Sequence, residues 1–310
     1  MNSTAIDPIC RLSDPLIPQI SRSSHYELFL TVVIGINALL AVLTSCSNAL
    51  VIYTVIKTET LRTPANTLLL GLAFSDFGCG IITLPSLCAS EYYELKRDVR
   101  NYCLADFIYI STSWPFGVNS FLALTTITAD RFLAVHLHLR YKQIVTVKRC
   151  YLIMLLIFLA SLTITFFRAF GSKNPIFLIF AVIIMTIYLL LNGFFIFKIS
   201  CVIRRHSAQI HAQHQSTRQT INMPRYKKSV NTMYYVIGAF VLCYFPLGIK
   251  IAMEAGFVGY KPSPERLIFY RFSFSCLFIN TVLNPVIYCW RIQEIRESCI
   301  NLLRGVFCYS

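Results

Sequence analysis

Seven stretches of at least 18 residues carry almost no charge, and few folds tolerate that arrangement. Residues 28–56, 107–129, 150–167, 174–197, 229–249 and 272–290 hold no Lys, Arg, Asp or Glu, and 63–90 hold only Asp76. A helix that crosses a bilayer needs about 17–25 mostly apolar residues. Only 14% of the 310 residues are charged, against about 25% in an average soluble domain. Strict polar–apolar alternation is scarce, which argues against a transmembrane β-barrel. The pattern predicts an all-α fold, a bundle of seven transmembrane helices.

The basic residues predict its orientation. Numbered along the chain, one alternating set of connections holds 17 basic residues against four acids, and the other holds 11 against nine. The basic set belongs on the cytosolic side. That puts the amino terminus outside the cell and the carboxyl terminus in the cytosol. The net charge of +14 then follows from membrane topology rather than from nucleic-acid binding. The expected organisation is an extracellular segment over 1–26, a seven-span domain over 27–290, and a cytosolic helix and tail over 291–310. Residues 1–26 contain Pro8, Pro15 and Pro18 and no apolar core, so no cleavable signal peptide is expected there. Asn2-Ser3-Thr4 matches the glycosylation acceptor pattern.

Past Trp290, Ile292, Ile295, Cys299, Leu302 and Leu303 recur at helical spacing, and charges fall mostly on the other face. An amphipathic helix on the inner membrane surface is expected, with Cys299 and Cys308 as candidates for acylation. The connection near 204–228 has no acid and contains His206, His211 and His214. A solvated basic extension explains it better than a metal site, because no Cys or carboxylate joins the histidines.

Asp76 lies mid-span, where a carboxylate costs about 2.5–3.5 kcal/mol on insertion scales. It should face the bundle interior. Asn48, Ser120, Asn280, Thr281 and Asn284 are polar candidates on other spans. Such oxygen-rich surroundings suit a hard cation such as sodium, or a water cluster. A hydrogen-bonded network without an ion is the alternative.

Five short motifs then fall in order on successive spans. They are Ser47-Asn48-Ala49-Leu50-Val51, Leu72-Ala73-Phe74-Ser75-Asp76, Asp130-Arg131-Phe132, Phe240 with Cys243-Tyr244-Phe245-Pro246, and Asn284-Pro285-Val286-Ile287-Tyr288. In these residues the chain resembles the rhodopsin-like G-protein-coupled receptors, loosely their adenosine and melanocortin branch. The resemblance runs from about residue 28 to 303. It implies a plasma-membrane receptor that passes an extracellular ligand's signal to a heterotrimeric G protein. Arg131, released from Asp130, would meet that G protein, and Leu139 would plug into its groove. Tyr288 would swing inward on a helix bent at Pro285, and Pro246 would let span six pivot. Phe240 and Tyr244 belong to the same switch.

Departures from the family pattern bear on the ligand. Tyr244 stands where the family has Trp, span four lacks the usual Trp and Pro, and span five has no Pro. In most relatives a disulfide ties the loop after span four to the outer end of span three. Here the loop near 170–174 has no Cys, and a bridge from Cys103 to Cys10 is the alternative. Ser113 replaces the amine-binding Asp of monoamine receptors, Phe278 replaces the retinal-binding Lys, and Ile251 replaces an adenosine-contacting Asn. The remaining pocket candidates are Asp106, Ser113, Lys250, Ile251, Glu254, Tyr270 and Phe274, with Glu91 and Glu94 nearby. A basic group on a peptide would pair with Asp106; alternatively these charges mark the water interface. A small diffusible ligand, or a lipid entering from the bilayer, fits the short loops equally.

No repeat supports a transporter, and no catalytic motif supports an enzyme. A non-coupling accessory membrane protein with a receptor fold is the remaining alternative.

Overall fold

The computed structural model describes Cys10 and residues 24–137, 140–170, 175–212, 223–256 and 264–307, with some side chains near helix ends excepted. Asn2, Leu139, His214 and Cys308 lie outside the described residues, as do the side chains of His206, His211 and Glu254. Within them the chain forms seven long helices and an eighth shorter one. These are α1 (Ser24–Lys57), α2 (Pro64–Leu95), α3 (Val99–Leu137), α4 (Val147–Phe170), α5 (Pro175–Ala212), α6 (Met223–Gly256), α7 (Pro264–Arg291) and α8 (Gln293–Phe307). A single turn, Tyr141–Ile144, sits between α3 and α4.

Local chemistry sets the boundaries. Pro64 opens α2 where its missing N–H costs nothing, and the Thr63 hydroxyl accepts from the Asn66 N–H at 3.3 Å. Asp98 caps α3 by accepting from the Asn101 N–H at 3.1 Å. Between α2 and α3 the chain reverses through Arg97, at φ 58°, a left-handed conformation that few residues with a side chain adopt. Inside α2, Cys79–Thr83 widens into a π turn just before Pro85. Proline donates no N–H, so the helical ladder must adjust there. The same turn brings Gly80 against α1: a Cβ at Gly80 would lie 2.8 Å from the Ser45 backbone nitrogen.

Polar and apolar residues are distributed inside-out relative to a water-soluble protein. Leu242, Leu190, Phe245 and Phe197 are 64–75% exposed, whereas Asn37, Thr44, Asp76, Glu91 and Glu94 are fully buried. In hydrocarbon this is the stable arrangement, because outward apolar groups meet lipid and polar groups need partners inside. Four described helices, α1, α2, α4 and α7, are long and apolar enough to cross a membrane by length and composition. The sequence predicts seven such spans. α3 falls short because Ser, Thr and Asn recur along it, and several pair with neighbouring helices: Thr112 with Thr83, Ser120 with Asp76 and Thr125 with Asn192. α5 and α6 contribute shorter apolar segments, Thr186–Val202 and Gly238–Met253.

The bundle has two distinct ends. One carries a disulfide between Cys10 and Cys103, the pairing the sequence offered as the alternative bridge. The other carries Arg131 and α8. α8 packs on α1 and α7 through buried Ile295 and Cys299, while Arg296 and Glu297 are exposed. The amphipathic pattern is therefore present, but Cys299 corrects one expectation. Its sulfur lies 3.3 Å from the Thr54 hydroxyl on α1, so the thiol is turned into the bundle rather than toward lipid and acylation.

Candidate functional site

The candidate site is a column of polar and aromatic groups running from the Arg131 end to the disulfide end. α3 contributes Asp130, Arg131, Phe121, Ser120 and Asp106 to it, and α1, α2, α6 and α7 supply most of the rest.

At the Arg131 end, Asp130 is buried on the last turns of α3. Its Oδ1 accepts from the Tyr141 hydroxyl at 2.7 Å, and its Oδ2 lies 3.8 Å from Arg131 Nε. Oδ2 accepts no hydrogen bond. The Asp130–Arg131 pair predicted from sequence exists, yet its hydrogen-bonding partner is Tyr141, from the single turn that follows. Burial first, and then the Asp130 carboxylate, hold the Tyr141 hydroxyl well above the ordinary phenol range. Arg131 keeps 30% of its side chain exposed.

Deeper in, Tyr288 is buried, and its hydroxyl has no partner among the described residues. Asn284 and Pro285 lie one turn before it on α7. Phe240 and Tyr244 stack on α6 with ring centroids 3.8 Å apart, and Phe121 of α3 lies 5.0 Å from Phe240. Tyr244 thus occupies the interior in the Trp position, while its neighbour Phe245 faces outward. Pro246 sits inside α6, and its carbonyl accepts from Ser273 of α7 at 3.3 Å.

At mid-depth, Asp76 Oδ2 accepts from Asn284 Nδ2 at 2.8 Å, and Oδ1 accepts from Ser120 at 3.3 Å. The other three residues expected around it stand differently. Asn48 donates to the carbonyl oxygens of Thr281 and Thr44, and the Thr281 and Thr44 hydroxyls are 3.0 Å apart. This pins α1 to α7 rather than serving Asp76 directly. Asn280 is buried with its Oδ1 unpartnered. No ion pair reaches Asp76 among the described residues, so its charge is met only by neutral hydrogen-bond donors.

Toward the disulfide end lies a cluster that the sequence reading did not identify. Arg271 of α7 is buried against Glu94 of α2, and Glu94 also accepts from the Tyr26 hydroxyl of α1 at 2.6 Å. Asn37 donates to Glu91 at 3.1 Å and accepts from Ser275 at 2.9 Å. One Glu91 oxygen remains buried without a partner. Glu91 and Glu94 therefore do not mark a water interface; they brace three helices internally. Asp106 is buried beside Tyr102 and Tyr109. The Lys250 ammonium lies 5.2 Å from the ring centroids of both Tyr270 and Phe274, a cation–π contact. Three expected pocket residues thus meet. Ser113 turns its hydroxyl back to the Ile110 carbonyl at 3.3 Å, and Ile251 is half-buried.

Comparison with known proteins gives a consistent picture. Residues 47–288 match the family described as 7 transmembrane receptor (rhodopsin family). The chain is 25% identical to the alpha-1A adrenergic receptor of Oryzias latipes, over 90% of this chain and 67% of that receptor. It is 23% identical to adenosine receptor A2b of Gallus gallus over 90% of each. It is also 25% identical to G-protein coupled receptor 12 of Homo sapiens, over 85% of this chain and 78% of the relative.

Proposed function

The chain belongs to the seven-transmembrane receptors of the rhodopsin family, and on that premise we propose that it couples an extracellular ligand to a cytosolic heterotrimeric G protein. It is a multi-pass membrane receptor and not an enzyme. The observation that carries the coupling proposal is the arrangement around Arg131. Its acidic neighbour is held by Tyr141, and its own guanidinium is partly exposed at the basic end of the bundle. An Arg so placed can exchange Asp130 for a partner when α6 and α7 move. Pro246 and Pro285 weaken the backbone ladder of those two helices; Phe240 and Tyr244 meet Phe121 of α3, and Tyr288 is buried in the same apolar cluster. The excess of basic residues in the connections at that end supports a cytosolic placement.

The ligand we propose is a peptide or small diffusible molecule entering at the disulfide end. Asp106, Lys250, Tyr270 and Phe274 offer one acid, one cation and aromatic faces. Ser113 stands where a monoamine would need its counter-ion, which argues against the amine ligands of the adrenergic relatives. At mid-depth, Asp76 and Ser120 would hold a sodium ion, which would supply positive charge to a buried carboxylate that has none. Such an ion must favour one state of the receptor to bias it.

The test is G-protein activation in cells across subtypes, comparing wild type with Arg131→Ala at matched surface expression. Loss of signal in the variant supports coupling. Equal signal in the two would overturn the role given to Arg131, and no signal under any ligand condition points to the accessory role instead.

A further inference from the structure

A cleft of about 320 Å³ lies between α2, α3 and α4, away from the central column. Its walls are Phe74, Phe116, Met154 and Phe158, and Phe74 is 50% exposed on the outer surface of the bundle. The cleft therefore opens sideways, toward lipid. Gly71 and Gly78 let Met154 and Phe116 close onto α2: a Cβ at Gly71 would come 2.4 Å from the Met154 methyl, and one at Gly78 would come 2.5 Å from the Phe116 ring, so these walls are held tightly against α2. Span four carries no Trp to fill the space.

The floor of this apolar cleft is polar. The Asn119 side chain is 4% exposed, and its amide nitrogen donates to the Ser75 hydroxyl. The Asn119 carbonyl oxygen is buried with no hydrogen-bond partner. Ser75 adjoins Asp76 well inside the span Pro64–Leu95, so the floor lies within the hydrocarbon layer. Bulk water is not available from the side at that depth, and an unpartnered amide oxygen there is costly. The cleft thus combines aromatic and thioether walls with one unanswered polar atom.

We infer that this cleft binds the acyl chain of a hydroxylated fatty acid, with the chain's hydroxyl on Asn119 and Ser75. The chain is the part of a lipid that reaches this depth, and a hydroxyl partway along it is the group that can answer Asn119. A hydroxyl both donates and accepts, so it satisfies Asn119 with the amide in either orientation. The cleft volume is at the lower end for ligand sites, which suits a length of flexible chain and is small for a fused-ring sterol. The apolar walls hold an unmodified chain as well, so the hydroxyl supplies selectivity and the walls supply general affinity.

The test uses the full-length receptor in phosphatidylcholine nanodiscs. Binding of 12-hydroxyoctadecanoic acid, 2-hydroxyoctadecanoic acid and octadecanoic acid is compared by native mass spectrometry. Satisfying one buried acceptor should favour the mid-chain hydroxyl by about tenfold over the plain acid. The 2-hydroxy isomer, whose hydroxyl stays near the headgroup, should behave like the plain acid. Asn119→Leu should erase the preference, and Phe158→Trp should weaken all three acids by filling the cleft. Equal binding of the three acids to wild type would overturn the inference, and would mean that water or nothing serves Asn119. A mid-chain preference that survives Asn119→Leu would also overturn it. The wild-type comparison needs no variant, so a misfolded mutant leaves the result intact.

Discussion

The Tyr141 hydroxyl donates to Asp130 Oδ1 at 2.7 Å, while Asp130 Oδ2 stands 3.8 Å from Arg131, short of a closed, hydrogen-bonded pair. Two groups face one carboxylate, and the Tyr141 bond fixes the direction in which its free oxygen points. Hydrogen bonds to a charged partner contribute about 1.5–3 kcal/mol, so the Tyr141 bond is strong enough to set the Asp130 rotamer and with it the resting position of Arg131.

Tyr141→Phe should therefore release Asp130 to close on Arg131. Basal G-protein activation should fall several-fold at equal surface expression, while Asp130→Asn should raise it. If Tyr141→Phe raised basal activity, the tyrosine would be a lock on the resting state instead. The contact also has a pH sign. The Tyr141 hydroxyl ionises above its ordinary value of about 10 in the folded chain, so its stabilising contribution is complete below that value. It is lost as pH rises through and beyond it. A difference titration of wild type against Tyr141→Phe should show one tyrosine ionising late.

The Glu94–Arg271 pair leads to a stability prediction. Both side chains are buried, and Tyr26 adds a third helix to the contact. Removing one partner of a buried pair typically costs about 3–5 kcal/mol, because the other charge is left alone. Arg271→Met should sharply lower the melting temperature and surface expression. The double variant Arg271→Met with Glu94→Gln should recover much of the loss. A double variant no better than the single would show that packing, not charge, dominates there.

The disulfide between Cys10 and Cys103 spans 93 residues, and cross-links of that loop length contribute roughly 4–5 kcal/mol in the chain-entropy view. Adding reductant should lower the melting temperature of wild type and leave the double Ser variant unchanged. Equal sensitivity of both would mean that reduction acts elsewhere.

These contacts differ in how far the sequence announced them. Asp76, Ser120 and Asn284 were legible because a carboxylate inside a charge-free stretch demands polar partners, and few are on offer. Tyr141 was not legible as the partner of Asp130, because that contact depends on where the turn after α3 folds back. Glu91 and Glu94 looked like boundary charges. Only the packing of α1, α2 and α7 around Arg271 makes them interior. Cys299 shows a further limit: helical spacing identifies an apolar face without saying whether lipid or protein covers it. Asn119 gave no signal, since an Asn within a span is unremarkable until its oxygen is found without a partner.

Asp76 supplies the last prediction. Its carboxylate is fully buried and, among the described residues, receives only the Asn284 amide and the Ser120 hydroxyl. If a sodium ion joins this group, binding to the folded state must add stability that grows with ion concentration, as RT ln(1 + [Na⁺]/Kd). At a hundredfold excess over Kd that is about 2.7 kcal/mol, a shift of several degrees in melting temperature. Replacing choline chloride with sodium chloride at constant ionic strength should raise the melting point of wild type, and potassium chloride should do less. Asp76→Asn should abolish the sodium dependence, and Ser120→Ala should reduce it. Identical melting in choline and sodium would leave Asp76 as the centre of a protein and water network. Its role in switching would then rest on Asn284, whose amide joins it to Pro285 and Tyr288 on the helix that must move.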